Sequence, residues 1–106
     1  MISRIWHGWT TPENADRYES LLKTEIFPGI LARKIAGFRR SELLRRALER
    51  EVEFITVMRF ESWESVKEFA GDHLDHAVVA PKARALLARF DDRSQHYEVR
   101  ETRESK

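Results

Sequence analysis

Hydrophobic positions between residues 51 and 60 fall on both parities, with Val52, Phe54, Met58 and Phe60 on one and Ile55 and Val57 on the other. Side chains along a strand alternate faces, so this segment reads as a strand covered on both sides. Ser62-Trp63-Glu64-Ser65 then opens a helix that ends at Gly71. Upstream, residues 2–9 form a short strand rich in β-branched and aromatic side chains. Ile2, Arg4, Trp6 and Gly8 share one of its parities, and Ser3, Ile5, His7 and Trp9 the other. Thr11 as cap and Pro12 as first helical residue start a helix, with Thr10 and Glu13 offering a competing capping box. Ala15, Tyr18, Leu21, Leu22 and Ile26 supply its apolar stripe, and Pro28-Gly29 is expected to stop it.

The remainder is less regular. Residues 30–37 read as an irregular connection or a short helical turn. Residues 38–46 precede the doubly apolar strand at hairpin distance, and Leu43 and Leu44 offer one apolar side chain to each face. Helix propensity over residues 41–50 competes with this assignment, but the next strand needs an antiparallel neighbour. Asp72 is placed to cap a short helical segment running through Val78, which Pro81 interrupts or restarts. Ala83, Leu86, Leu87 and Phe90 have helical spacing up to Asp91-Asp92, and residues 94–100 are the last strand.

This order, strand-helix-strand-strand-helix-strand, predicts an α+β fold of ferredoxin-like βαββαβ type with an antiparallel sheet. Residues 1–101 make a single domain and residues 102–106 a polar C-terminal tail. Two helices cover only one face of such a sheet, leaving apolar side chains of the doubly apolar strand on the other. Exposed apolar patches of that kind are seldom tolerated by monomers. A homodimer through the open sheet face, two sheets stacked by a two-fold axis into a dimeric α/β barrel, is the expected remedy.

Composition narrows the function classes. The 42% hydrophobic and 35% charged content is that of a globular chain. A net charge of +1 with interspersed signs favours neither nucleic acid nor an anionic membrane as a partner. The basic run Arg39-Arg40 to Arg45-Arg46 is offset by Glu42, Glu49, Glu51 and Glu53. Cysteine is absent, which removes disulfides, thiolate metal sites and cysteine nucleophiles. The first residues lack an apolar run of signal-peptide or membrane-span length, so a cytoplasmic home is expected.

Several segments resemble the dimeric α/β-barrel proteins grouped with the antibiotic biosynthesis monooxygenases. They are Arg4-Ile5-Trp6-His7-Gly8, Ser62-Trp63-Glu64-Ser65, Phe69-Ala70-Gly71-Asp72, residues 77–81 and His96-Tyr97-Glu98-Val99. The resemblance implies a cofactor-independent monooxygenase that deprotonates a small aromatic or quinol-like compound, which then passes an electron to oxygen. It implies a small-molecule ligand between helices and sheet and no cofactor. Haem-degrading relatives imply a second activity, but they use an asparagine on the first strand, and Asn14 lies outside it. Phe69 stands near the position of their tryptophan and His76 near that of their histidine. A non-enzymatic small-molecule-binding or stress-related dimer is the reading from another class.

Candidate chemistry rests mainly on four histidines. If Ile5 and His7 face the helices, His7 lines the ligand space as a base whose pKa lies near working pH. His96 or Tyr97, on the neighbouring last strand, is its hydrogen-bonding partner. The competing role for each imidazole is structural, bonded to a carbonyl or carboxylate. Trp6, Trp63 and Phe69 are candidate walls for a flat ligand, against the simpler role of core. His73 and His76 share a helical face and are assigned to substrate binding at a pocket rim. With Asp72 or Asp75 they make only a partial metal set, so no metal site is assigned.

Overall fold

A computed structural model describes residues 1–105. Strands β1 (Ile2–Thr10), β2 (Phe38–Ala47) and β3 (Val52–Phe60) form an antiparallel sheet in the order β2-β3-β1. Two short strands, β4 (Leu87–Phe90) and β5 (Gln95–Glu98), both pair antiparallel with β1 on its far edge. Together they make the fourth ferredoxin-like strand, broken in the middle by the loop at residues 91–94. The helices are α1 (Pro12–Leu21), α2 (Phe27–Ala32), α3 (Trp63–Ala70) and α4 (Pro81–Leu86), all on one face.

Local chemistry explains most boundaries. Thr11 caps α1 by accepting a hydrogen bond from the Asn14 amide, with Pro12 at the first position. Ser62 does the same for α3 through the Ser65 amide, and Gly71 ends that helix at a φ of 83°. Gly37 holds a φ of 82° before β2, where an added Cβ would lie 2.2 Å from Ser65 Oγ. Only glycine fits a left-handed backbone against that hydroxyl.

Three expectations need correction. Pro28-Gly29 does not stop the first helix, because a π-helical segment, Leu22–Ile26, carries it on into α2. The Phe27 amide reaches back to the Leu22 carbonyl, and this shifted ladder accommodates the amide that Pro28 lacks. Residues 72–78 form turns and one isolated bridge, His76 to Arg93, instead of a capped helix. The helix begun at Pro81 ends at Leu86, and Leu87 and Phe90 belong to β4 opposite Thr10 and Gly8.

Register then decides which side of the sheet each residue serves. Ile2, Arg4 and Met58, with Phe54 and Phe60, are buried toward the helices. One apolar cluster (Ile2, Ile35, Met58, Phe60, Val66, Phe69) lies with α3, and a second (Ala15, Tyr18, Leu22, Val52, Phe54, Ala83) with α1 and α4. Ser3, Ile5, His7, Trp9, Ile55 and Val57 occupy the other face, which carries no helix. The molecule is accordingly a slab of 37 × 35 × 23 Å, its thin dimension one sheet plus one helical layer.

Candidate functional site

Between the two apolar clusters the helices and sheet leave a cavity. Met58 and Phe69 come to it from the first cluster, and Tyr18, Leu22 and Ala83 from the second. Its free interior is about 60 Å³ for the centres of water-sized molecules. At roughly 10–15 Å³ per water centre that admits about four waters, the scale of one aromatic ring. The lining is apolar apart from Arg4, Tyr18, Thr56, Ser94 and the Trp6 indole. The indole N–H is already donated to the Asp91 carbonyl at 2.7 Å.

Arg4 is the unusual member. It sits mid-strand on the helix-facing side and is only 3% exposed. Its Nη1 donates to the Leu74 carbonyl at 2.6 Å and to His96 Nε2 at 2.9 Å, and its Nη2 to the His76 carbonyl at 2.9 Å. The guanidinium also lies 5.4 Å from the centre of the Phe69 ring. Burial pushes the Arg4 pKa down to about 10, and the charge of Asp75 opposes that shift.

His96 is held from both sides. Arginine has no acceptor, so His96 Nε2 must accept from Arg4, and the ring hydrogen of the neutral tautomer sits on Nδ1. Nδ1 then donates to Asp75 Oδ1 at 3.1 Å. The ring is 3% exposed, with Trp63 tilted against it at 5.3 Å. Burial, and next the Arg4 charge, push the His96 pKa below its ordinary value, against the pull of Asp75. An imidazole engaged at both nitrogens is a positioning group for Arg4 and not a free base.

Because folding lowers the His96 pKa, the unfolded chain binds more proton in the window just below the usual imidazole value of 6.5. The stabilisation is fully present above pH 6.5 and is lost as pH falls toward the folded value. Urea unfolding midpoints should therefore decline from pH 7 to pH 5, above the range where lowered carboxylates such as Glu53 contribute. His96→Gln should flatten that slope; an unchanged slope would remove His96 as its source.

The remaining candidates divide between sites. Trp6 and Phe69 line the cavity. Trp63 covers His96 from outside and is 46% exposed. His7 and Tyr97 do not face the helices: both lie on the outer sheet face, opposite Ile55 and Ser3. His7 and His96 are thus on opposite sides of the sheet, and the arrangement with His7 in the ligand space is corrected. His7 Nδ1 pairs with Glu53 Oε2 at 3.0 Å, and Arg46 holds the other carboxylate oxygen at 2.6 Å. That carboxylate is kept below its usual range first by His7 and then by Arg46. His73 and His76 stack at 5.0 Å on the irregular strap of residues 71–80. The strap lines the cavity through Val78, Val79 and Ala80, and His76 instead borders a surface depression with Arg84 and Arg93. Among the described residues no group of three or more histidine, cysteine or acidic side chains is placed to hold a metal ion. No helix among them is long and apolar enough to cross a membrane.

Solved structures share this fold. A candidate antibiotic biosynthesis monooxygenase from Bacillus cereus superposes with a TM-score of 0.68 at 17% identity, over 98% of this chain and 97% of that one. The fold is that of the antibiotic biosynthesis monooxygenase-like proteins. SnoaB, a cofactor-independent oxygenase from Streptomyces nogalater, matches with a TM-score of 0.59 at 14% identity, over 95% of each chain. Rv0793 from Mycobacterium tuberculosis matches with a TM-score of 0.54 at 20% identity, over 99% of this chain and 98% of that one. No family model and no curated protein sequence matches the chain.

Within that monooxygenase-like fold, the residues missed by sequence reading are Arg4 and Tyr18. An arginine in a short strand reads as solvent-facing, and Tyr18 reads as one member of an apolar stripe. The available signal was Arg4 sharing its parity with Ile2, Trp6 and Gly8.

Proposed function

We propose that this chain is a cofactor-independent monooxygenase for a small aromatic, phenol- or quinol-like compound bound between helices and sheet. One observation carries the reading, the buried guanidinium of Arg4 on the wall of a mainly apolar cavity of one-ring size. A phenol placed beside a fixed cation in a dry site ionises more readily, and its phenolate is the form that gives an electron to oxygen. Arg4 takes the oxyanion role, His96 positions Arg4, and Trp6 and Phe69 are the walls. The proton leaves by the cavity mouth. In the balanced reaction the phenol loses its O–H and one ring C–H, one oxygen atom enters that carbon, and the other leaves as water. The phenol goes to the quinone, and all four electrons come from it.

The cavity lining contains no imidazole, which favours, as a second reading, a binding protein without turnover. Haem, several rings wide, is far larger than this space. Oxygen uptake with a panel of phenols, naphthols and hydroquinones separates the readings. Uptake matched one to one by quinone, without peroxide, and reduced at least about tenfold in Arg4→Gln, is the expected result. No uptake above buffer with the whole panel leaves the binding protein. We also propose that a second copy of the chain covers the outer sheet face.

A further inference from the structure

We infer that the cavity takes a small organic anion, an aromatic monocarboxylate of about benzoate size, held by Arg4. The inference goes beyond the reading above, because the carboxylate takes the place beside Arg4 that the phenolate takes there. It rests on the cavity being the ligand site, but not on oxygen reacting there.

Arg4 is a cation, 3% exposed, whose three hydrogen-bond partners are two carbonyls and an imidazole. Buried charges are ordinarily matched by a counter-charge, because leaving one unpaired is expensive. The carboxylate acting on it, Asp75, does so from beyond His96 and is more than half exposed. A guanidinium carries five N–H donors, and three are engaged. Two N–H groups are left, in a group whose planar fork matches the two oxygens of a carboxylate.

The rest of the cavity suits the apolar part of such a ligand. Trp6, Met58 and Phe69 supply flat or polarisable walls beside Arg4. Tyr18 also lines the cavity; it is 1% exposed, and burial alone raises its pKa. Tyr18 brings to the lining a hydroxyl that can bond a ring substituent or a carboxylate oxygen of the ligand. Free space for about four waters admits one ring and little more.

The test is calorimetric titration of the full chain with benzoate, benzamide and benzyl alcohol, with tryptophan fluorescence as a second readout. Benzoate should bind at least about tenfold more tightly than its neutral isosteres, the worth of one charged hydrogen-bonded contact. Arg4→Lys should remove most of that preference. Ala80→Phe should put a ring into the cavity from the half-buried residue just before α4, and so abolish benzoate binding in a chain that still folds. Equal binding of benzoate and benzamide, no saturation by either, or undiminished benzoate binding in Ala80→Phe overturns the inference. If benzoate binds while no phenol consumes oxygen, the oxygenase reading fails alone. If phenols turn over and benzoate neither binds nor competes, the anion inference fails alone.

Discussion

Replacing Arg4 by methionine is expected to cost about 3 kcal/mol and to loosen the strap of residues 71–80 before the rest of the fold. The substitution strands the Leu74 and His76 carbonyls and His96 Nε2, at roughly 1–3 kcal/mol for each buried group left unmatched. Relief of the buried cation returns several kcal/mol, so the net is smaller than the sum. A loss of that size lowers the melting temperature by on the order of 15 °C in a domain of this length. The local effect is more diagnostic. Residues 71–80 contain no helix or strand and are tied down by few bonds besides those of Arg4. Two are from the Ala77 amide to the Asp92 carbonyl and from the Ser94 amide to the Asp75 carbonyl. Exchange of these two amides should accelerate in Arg4→Met far more than exchange of β1 and β3 amides. Unchanged melting together with unchanged exchange at Ser94 would show that Arg4 does not latch the strap.

That latch was hidden in sequence for a physical reason. Strand β1 carries apolar groups on both parities, Ile2 and Trp6 against Ile5 and Trp9. Counting alone cannot choose a face. The choice is made by β3, whose Phe54, Met58 and Phe60 must meet the helices, and by the β1–β3 register that places Arg4 opposite Met58. His7 is thereby turned to the outer face. The doubly apolar character of β3, the capped starts of α1 and α3 and the ferredoxin-like order were legible because each depends on local patterning. The fourth strand was not. Ala83, Leu86, Leu87 and Phe90 have helical spacing, yet Gly8 and Thr10 of β1 need an edge partner, and pairing overrides a weak propensity. Gly8 shows the fit, since a Cβ there would sit 3.0 Å from the Leu87 side chain.

The second large effect is expected on assembly: Val57→Glu should convert a dimer into monomers without unfolding the chain. Val57 lies at the middle of the outer face, paired with Ile5 on one side and Glu42 on the other. Ile5, Ile55 and Val57 are half-buried there, and Leu44 is 46% and Tyr97 55% exposed. A face within a 37 × 35 Å outline exceeds the roughly 800 Å² per partner of a stable interface. Its buried acid does not oppose pairing, because Glu53 is already matched within the protomer by His7 and Arg46. In a two-fold interface one substitution appears twice. An unpaired buried charge at about 3 kcal/mol each makes about 6 kcal/mol in all, or roughly four decades in dissociation constant. In the isolated protomer the same glutamate stays partly hydrated, so its melting should change little beyond the lost intersubunit contribution. Sedimentation at micromolar concentration decides the matter. A monomeric wild type, or a Val57→Glu variant that still sediments as a dimer, would mean that the outer face is not where two copies meet.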